Sequence, residues 1–340
     1  MIELRNDDLL PEKPAVSVFC TTYNQVNYIS QCLDGFLAQK TNFPFEVLVA
    51  DDASTDGTSD IVRTYVERRP DVFTAILQDV NQYSQGVRIT SKFLWPRSRG
   101  RYIALCEGDD WWTDPYKLQR QYDAMEAHRE ATWCVHASEN VEASTGNVLF
   151  TTRPYDCDCI LDFTQFGEYI QLVATASFFA RRDIYASYVE AKPSKTKCHG
   201  DFKMSRFFSL MGSTIYLEKP MCAYRVLAQN STNLRILQSP NWREIVRQNT
   251  FNRVEFLRQL DDWSDNRFSD DIAKQINRVE YLGAIELKDY RALHDVWPSD
   301  FAAEPLFTKL KVEIFGRSPR LHDIARKFKQ KNCPYLGLRR

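Results

Sequence analysis

The first 140 residues alternate between short apolar runs and stretches with helical periodicity, and this alternation constrains the fold more than any other feature. Five apolar runs have the length of a strand: VSVFC, FEVLVA, FTAIL, YIALC and TWCVHA. After the first run, Ile29, Cys32, Leu33, Phe36 and Leu37 recur at the spacing of one helix face. Strands that alternate with helices form right-handed βαβ units. We therefore predict an α/β fold with a mostly parallel central sheet flanked by helices.

Two acidic pairs closely follow two of these predicted strands. Asp51 and Asp52 come after FEVLVA, and Asp109 and Asp110 come after YIALC, in the string EGDDWW. Ligands of open α/β sheets bind outside the carboxyl ends of the strands, so we expect both pairs to face one crevice. Carboxylates gathered there suit a divalent cation, and the cation suits a phosphorylated ligand. The structural alternative for each pair is a solvated turn, or an Asx turn that starts the next helix.

A polar turn, TTYN at positions 21–24, follows the first predicted strand. Adjacent parallel strands would place this turn beside Asp52. A carboxylate, hydroxyl groups and an aromatic ring together can hold a nucleoside, because the carboxylate accepts a base N–H and the ring packs on the base.

A third acidic candidate, Asp201, lies in the less regular second half of the chain, in CHGDFKMSRFF. Its carboxylate can cap the helix predicted near residues 202–210, or it can act as a general base if it faces the crevice. The spacing alone favours the cap. Strands are also predicted at ASFFA, STIYL and CAYRV, and the pattern is helical from residue 241 to about residue 293.

Charge is distributed unevenly along the chain. The net charge is −1, but residues 306–340 contain ten Lys and Arg against two Asp and Glu, so that segment carries +8 and the remainder −9. A basic segment on an acidic body suggests an anionic surface as partner, while nothing global favours nucleic acid. The string SPRLHDIARKFKQK predicts a short basic amphipathic helix, for which a solvated helix is the alternative.

Several features bear on the cellular compartment. The first residues are polar and acidic, so we expect no secretory signal, and no apolar run reaches the roughly 18 residues that span a bilayer. The nine cysteines are scattered without a CxxC pair, which is typical of free thiols in a reducing compartment. We predict a cytoplasmic protein that can lie peripherally at the inner face of the membrane.

Four segments together closely resemble the family 2 glycosyltransferases with the Rossmann-like A-type fold, and especially bacterial enzymes that build cell-surface polysaccharides. These segments are VSVFCTTYN, VLVADDASTDGT, GRYIALCEGDDWWTDPYKLQRQ and HGDFKMSRFFSLMGSTIYLEKPMCAYRV. The resemblance covers about residues 14–233, and CEGDDWWTDPYKLQRQ is its most specific part. It implies an inverting transfer of a sugar from a nucleotide-sugar donor, with Mn²⁺ or Mg²⁺, to a saccharide or lipid-linked saccharide acceptor. The implied setting is surface polysaccharide synthesis, of O-antigen or capsule.

The resemblance also assigns residues to the donor nucleoside. Thr21, Tyr23 and Asp52 match positions that hold it, and Asn24 stands next to them in the same turn. UDP-linked and dTDP-linked donors both fit these positions. Trp95, Trp111 and Trp112 are candidates to stack on sugar rings, with burial in the core as the alternative.

The remaining assignments concern the metal, the diphosphate and the base. Asp109 and Asp110 match the acidic metal motif of the family, with Asp110 as the direct ligand. Asp201 matches the catalytic base, and Arg225 matches a cation near the pyrophosphate. Many relatives have a histidine two residues after that arginine, where this chain has Leu227. A histidine contact to metal or phosphate is therefore not expected.

We predict an A-type catalytic domain over residues 1–235, with a nucleotide-binding half at about 14–140 and an acceptor half at about 141–235. A helical extension over 236–305 and a basic amphipathic tail over 306–340 would follow. Two other functions stay open. A sugar nucleotidyltransferase would want a Gly-rich, basic loop after the first strand, where this chain has CTTYNQVN. A nucleotide-sugar-binding protein with impaired catalysis would be compatible with the altered YRVLAQ loop.

Overall fold

The computed structural model describes residues 1–167, 173–191, 198–229 and 231–332. The chain divides into two compact units. The first contains residues 1–192 and 204–230, and the second contains residues 193–203 and 231–340. The finer domain boundaries predicted at residues 140, 235 and 305 stay predictions.

A single mixed sheet forms the centre of the first unit. Its strands are β1 (Ile2–Leu4), β2 (Val16–Thr22), β3 (Phe45–Asp51), β4 (Phe73–Leu77), β5 (Tyr102–Leu105), β6 (Trp111–Trp112), β7 (Trp133–Glu142), β8 (Val148–Thr152), β9 (Cys159–Leu161), β10 (Phe179–Arg181) and β11 (Thr214–Val226). The strand order is β1-β4-β3-β2-β5-β10-β7-β11-β6, with β8 paired to β7 and β9 to β11. The strands β4, β3, β2 and β5 are parallel neighbours, and β7 is parallel to β11.

Helices cover both faces of this sheet. They are α1 (Ile29–Leu37), α2 (Thr58–Arg68), α3 (Lys117–Ala127), α4 (Phe163–Gly167), α5 (Arg182–Glu190) and α6 (Gly200–Met211), whose first residues belong to the second unit. Because side chains alternate along a strand, Val18 packs with α1 and α2 in one apolar cluster, and Phe19 packs with Tyr185 and Phe208 in another. Burial on both faces explains the uninterrupted apolar runs. The predicted α/β fold is confirmed.

The second half of the sheet differs in detail from the sequence prediction. STIYL and CAYRV, predicted as two strands, are parts of the single strand β11. Pairing with β7 shifts register between Leu217 and Cys222, around Pro220, which has no N–H to donate to a ladder. The pairing is thus interrupted without ending the strand. The predicted strand ASFFA begins only at Phe179, after a 3₁₀ turn at Thr175–Ser177. The short strands β1, β8 and β9 were not predicted.

The described part of the second unit is mainly helical, as predicted for residues 241 to about 293. Its remaining helices are α7 (Thr232–Gln238), α8 (Trp242–Trp263), α9 (Ser269–Leu287), α10 (Tyr290–Asp295), α11 (Pro298–Ala303), α12 (Leu306–Arg317) and α13 (Pro319–Asn332). A small apolar cluster formed by Tyr281, Ala284, Leu293, Phe301 and Val312 joins α9 to α12. None of the helices in the described part of the chain combines the length and apolar character that a membrane crossing requires.

Candidate active site

The turn after β2 is held against the turn after β3 by hydrogen bonds. Asn24 has a φ of 51°, in the left-handed region that Asn tolerates better than most residues. Its N–H donates to Ser54 Oγ at 2.8 Å, and its side-chain oxygen accepts the N–H of Thr55 at 2.8 Å. The N–H of Gln25 donates to Thr58 Oγ1 at 2.9 Å. Asn24 therefore joins two turns. Its predicted contact with the nucleotide-sugar donor stays a prediction.

Thr21 and Tyr23 lie where this turn leaves the sheet. Thr21 is in register with Ala50 on β3, and its carbonyl oxygen accepts the N–H of Gly108 at 2.9 Å. The side chain of Tyr23 is 40% exposed, so its ring is available to a flat ligand. The structure thus brings the turns after β2, β3 and β5 together at one sheet edge, as the sequence predicted.

Asp51, the last residue of β3, is fully buried and stabilises the start of α2. Its carboxylate accepts hydrogen bonds from Ser59 Oγ at 2.5 Å, from Ser54 Oγ, and from the N–H of Ser54 at 3.3 Å. Burial raises the pKa of Asp51, and these hydrogen bonds lower it in part. This carboxylate serves the local fold.

Asp52, the residue predicted to hold the nucleoside, is also buried. Its Oδ1 accepts the N–H of Gln82 at 2.7 Å, and its Oδ2 accepts the N–H of Tyr83 at 3.0 Å. Asp52 therefore fixes the loop after β4. A carboxylate offers about four lone pairs, so each oxygen can still accept a further donor.

The turn after β5 is tight and requires glycine at its centre. The N–H of Asp110 donates to the carbonyl oxygen of Glu107 at 3.0 Å. A Cβ atom at Gly108 would lie 2.5 Å from Gln25 Oε1 and 2.8 Å from Thr22 Oγ1. Such distances lie well inside van der Waals contact, so only glycine lets this turn approach the turn after β2.

Three carboxylates meet on this turn. Oxygen atoms of Glu107, Asp109 and Asp110 lie within 4.8 Å of one another. Asp110 is 1% exposed, and its Oδ1 accepts the N–H of Arg225 at 2.8 Å. Its buried Oδ2 has no hydrogen-bond donor among the residues that the structure describes. This oxygen stands out, because buried polar atoms normally have partners.

Electrostatics at the cluster favour a bound cation. Burial raises the pKa of Asp110 well above its usual range, and the charges of Asp109 and Glu107 raise it further. Burial also raises the pKa of Asp109, which the charge of Arg225 and a hydrogen bond from Gln25 lower in part. Hard divalent cations take carboxylate oxygens as ligands, and such an ion would compensate these charges. The residues present therefore fit the metal that the sequence predicted.

Arg225 on β11 stabilises the turn after β5 through hydrogen bonds. Its guanidinium donates to the carbonyl oxygen of Asp109 and to Gln31 Oε1. It also lies over two rings, 4.2 Å from the centre of Trp111 and 4.7 Å from that of Tyr28. The predicted contact of Arg225 with a pyrophosphate stays a prediction.

A buried lysine lies behind the same turn. Lys117 is fully buried, and its Nζ donates to Gln121 Oε1 at 2.7 Å and lies 4.0 Å from the centre of the Trp112 ring. Burial lowers the pKa of Lys117 to about 8. Trp112 is itself buried and donates to the carbonyl oxygen of Ala176 at 3.0 Å. Trp112 therefore packs in the core, which is the alternative to stacking on a sugar ring.

Asp201 belongs to the second unit and lies in the first turn of α6. It is partly buried, and its Oδ1 accepts the N–H of Phe202 at 2.7 Å. A carboxylate in a first turn also interacts favourably with the helix dipole. Leu227 follows β11 with a φ of 58°, and its side chain offers no atom that could bind a metal.

Sequence reasoning missed three residues of the cluster around Asp110. Glu107 contributes a carboxylate, Gln25 contacts Asp109, and Gln31 contacts Arg225. Glu107 could have been recognised, since Glu-Gly-Asp in a tight turn places two carboxylates close together. The two glutamines carry no sequence signal, because they reach the site from α1 and the turn before it.

Comparisons with known proteins identify the family. The family model described as Glycosyl transferase family 2 matches residues 17–186, which is half of the chain. The uncharacterized protein Rv1520 of Mycobacterium tuberculosis is 48% identical over 121 residues, which is 36% of this chain and 34% of that protein. The UDP-Glc:alpha-D-GlcNAc-diphosphoundecaprenol beta-1,3-glucosyltransferase WfaP of Escherichia coli is 30% identical over 114 residues, 34% of this chain and 42% of WfaP. The matched part spans about a third of the length of the first of these relatives.

The fold has a counterpart among solved structures. The crystal structure of S. aureus TarS 1-349 in complex with UDP superposes with a TM-score of 0.57, covering 86% of this chain and 76% of that chain. The two sequences are 16% identical, so this likeness concerns the fold. With the family model matching from β2 through most of α5, the chain belongs to glycosyl transferase family 2.

Proposed function

We propose that this protein is a metal-dependent, inverting glycosyltransferase that moves a sugar from a nucleoside-diphosphate donor to a hydroxyl group of a saccharide acceptor. The observation that carries the proposal is the buried Oδ2 of Asp110, which lacks a hydrogen-bond donor beside the carboxylates of Asp109 and Glu107. Three carboxylates this close disfavour one another's ionisation unless positive charge is added. Family membership supports sugar transfer as the chemistry.

Asp110 and Asp109, with Glu107, would hold Mn²⁺ or Mg²⁺. When bound, the cation supplies positive charge that stabilises a departing diphosphate. The chain's own contribution is to keep the carboxylates in place, through the backbone N–H of Arg225 and its guanidinium. The guanidinium also adds positive charge beside the diphosphate.

Thr21, Tyr23, Asn24 and Asp52 hold the nucleoside of a UDP-linked or dTDP-linked donor in this proposal. Two observations support it: the ring of Tyr23 is exposed at the sheet edge, and both oxygens of Asp52 can accept one donor more. The UDP complex of TarS supports a uridine nucleotide.

Asp201 acts as the general base. It takes the proton from the acceptor hydroxyl, and that oxygen attacks C1 of the sugar from the face opposite the diphosphate, so the anomeric centre inverts. The resemblance of HGDFKMSRFF to the corresponding segment of family 2 glycosyltransferases supports this role. General-base assistance contributes about 10²–10⁴ in rate.

The acceptor is a saccharide, free or lipid-linked, of surface polysaccharide synthesis. The diphosphoundecaprenol in the name of WfaP supports a lipid-linked acceptor. Such an acceptor places the enzyme at the inner face of the membrane, in contact with anionic lipid through the basic tail. The predicted tail residues from 333 onward, and the side chains from 327 onward, lie outside the described residues.

Release of the nucleoside diphosphate from UDP-glucose, UDP-GlcNAc and dTDP-glucose, with water as the acceptor of the sugar, tests this function. We expect Asp201→Asn to lower turnover at least about 100-fold with nearly unchanged donor affinity, because only proton transfer is lost. Chelation by EDTA should abolish turnover. Asp123→Asn, an exposed carboxylate on α3, is the control and should behave like wild type.

Each part of the proposal has its own contrary result. Near-normal turnover of Asp201→Asn would reject the base, and full activity in EDTA would reject the metal. Donor binding without turnover under all conditions would favour a nucleotide-sugar-binding protein.

A further inference from the structure

Two adjacent helices of the second unit expose large apolar side chains. Four lie on α12, with exposed fractions of 70% for Leu306, 68% for Phe307, 47% for Leu310 and 52% for Ile314. On α13, Leu321 and Ile324 are 50% and 64% exposed. Contiguous apolar surface of this kind marks an interaction site, whereas single exposed apolar residues need no explanation. We call Leu306, Phe307, Leu310 and Ile314 the apolar arc.

The apolar arc is the outer side of a helix that is already anchored. At about 100° per residue, its four members span roughly 100° of the helix circumference. Val312 lies roughly opposite, is fully buried and packs in the cluster with Leu293 and Phe301. α12 therefore has two apolar faces, and the described residues of its unit bury the face around Val312 and leave the arc exposed.

Basic residues border the arc. Lys311 Nζ lies 3.9 Å from the centre of the Phe307 ring. Arg317 comes one turn after Ile314, where its guanidinium pairs with Glu313 at 2.8 Å, and Arg320 is exposed at the start of α13. Residues 306–326 contain five Lys and Arg against two Asp and Glu, a surplus of +3. Its partner should therefore combine an apolar layer with negative charge.

We propose that the apolar arc, together with Leu321 and Ile324, inserts into the boundary between headgroups and acyl chains of an anionic phospholipid bilayer. Amphipathic helices with cationic borders lie in this layer parallel to the surface. A helix of 12 residues is too short to cross a bilayer.

Charge and chemistry argue against other occupants of the arc. A second copy of the chain would bring like charge against like charge, because a two-fold interface pairs the same surface with itself. Nucleic acid phosphates would satisfy the cations but leave Leu306, Leu310 and Ile314 without apolar contact. This inference rests on the membrane contact in the proposed function and names the residues that make it. It does not depend on catalysis.

Co-sedimentation of the full chain with phospholipid vesicles tests this. We expect binding to phosphatidylcholine vesicles that contain about 30% phosphatidylglycerol, and much weaker binding to phosphatidylcholine alone. The double variant Phe307→Ser/Leu310→Ser should lower the affinity about tenfold or more, since each exposed side chain loses its apolar burial. Arg320→Glu should lower it about fivefold or more through charge alone.

The matched control is Phe251→Ser on α8, because Phe251 is 57% exposed. It should change vesicle affinity less than about twofold. The proposal is overturned if wild type does not bind the anionic vesicles, if it binds both vesicle types equally, or if Phe251→Ser weakens binding as much as the double variant. A concentration-dependent dimer that the double variant abolishes, without vesicle binding, would also overturn it and assign the arc to a second copy.

Donor turnover in solution, measured on the same variants, separates this inference from the proposed function. The double variant should release nucleoside diphosphate at the wild-type rate while losing vesicle affinity. If wild type binds vesicles through the arc but turns over no donor, the proposed function fails and the docking surface stands.

Discussion

The two acidic turns of the first unit resemble each other in sequence and differ in how their oxygen atoms are used. In the turn after β3, Asp51 accepts hydrogen bonds from Ser54 and Ser59, and Asp52 accepts two backbone N–H groups. In the turn after β5, Asp110 accepts one backbone N–H and keeps a buried oxygen with no donor in the described structure. A pair of carboxylates that follows a strand can therefore either stabilise a loop or keep an oxygen atom free to bind a ligand.

Mutations in the two turns should therefore have opposite effects. Loss of a carboxylate after β3 should lower stability, and loss of Asp110 should lower activity. Removing a carboxylate whose oxygens are satisfied leaves buried donors without partners, which destabilises the fold. Removing a buried carboxylate whose charge is uncompensated relieves the folded state but deprives a cation of its ligand. Three variants test this difference between the turns.

Asp110→Asn should have the largest effect, and on activity. We expect donor turnover to fall about 10²–10³-fold, because a carboxylate ligand of the proposed cation becomes a neutral amide. The free energy of unfolding in metal-free buffer should be no lower than that of wild type, since no buried charge remains at this position. Turnover assays and urea unfolding measure the two quantities.

A ligand-dependent melt provides the control for Asp110. Mn²⁺ with UDP should raise the Tm of wild type and of Asp123→Asn, but should barely move that of Asp110→Asn, because ligands that bind only the folded state stabilise it. An Asp110→Asn variant that unfolds more easily than wild type in metal-free buffer would mean that both acidic turns are structural.

Asp51→Ala should have an intermediate effect, and on stability. Loss of the carboxylate leaves Ser54 and Ser59 without their acceptor, so we expect the free energy of unfolding to fall by about 2–3 kcal/mol. Urea unfolding followed by circular dichroism measures this. Asp60→Ala, an exposed carboxylate in the first turn of α2, is the control and should cost less than about 1 kcal/mol. Normal stability with lost donor binding would place Asp51 among the ligand contacts.

Lys117→Met should have the smallest effect, which should appear as a change in how the free energy of unfolding depends on pH. The folded protein binds the Lys117 proton more weakly than the unfolded chain, because burial lowers its pKa to about 8. The unfolded state therefore holds more protons above that pH, and the unfolding free energy of wild type should rise with pH there. Linkage limits the slope to about 1.4 kcal/mol per pH unit, relative to Lys117→Met.

The measurement is urea unfolding of both proteins between about pH 7.5 and 9.5, a window that spans the folded pKa. Lys13→Met, at an exposed position, should keep the wild-type slope. Equal slopes for wild type and Lys117→Met would mean that Lys117 keeps its proton throughout. The positive charge of the buried Lys117 side chain would then be stabilised by its surroundings in the folded protein, whereas the negative charge of Asp110 is not.

Local patterns predicted the strands β2, β3, β4 and β5 and the face of α1, because buried parallel strands need uninterrupted apolar runs and a half-buried helix needs a 3.6-residue repeat. The same patterns could not predict β11 as one strand. Its pairing runs along β7, some 80 residues earlier, and continues past Pro220. The edge strand β1 could not be predicted, because its three residues are too few to establish an alternating pattern and two of them are exposed.

Sequence patterns are sufficient to predict the fold of this chain, its family and the position of its carboxylates relative to the strands. Tertiary packing sets which of those carboxylates are satisfied, because their donors come from far along the chain: Gln82 and Tyr83 for Asp52, and Arg225 for Asp110. It likewise decided which apolar face of α12 is buried, because that depends on where Leu293 and Phe301 pack. Spacing along a chain specifies what side chains are available, and only packing specifies which of their atoms are left for a ligand or a membrane.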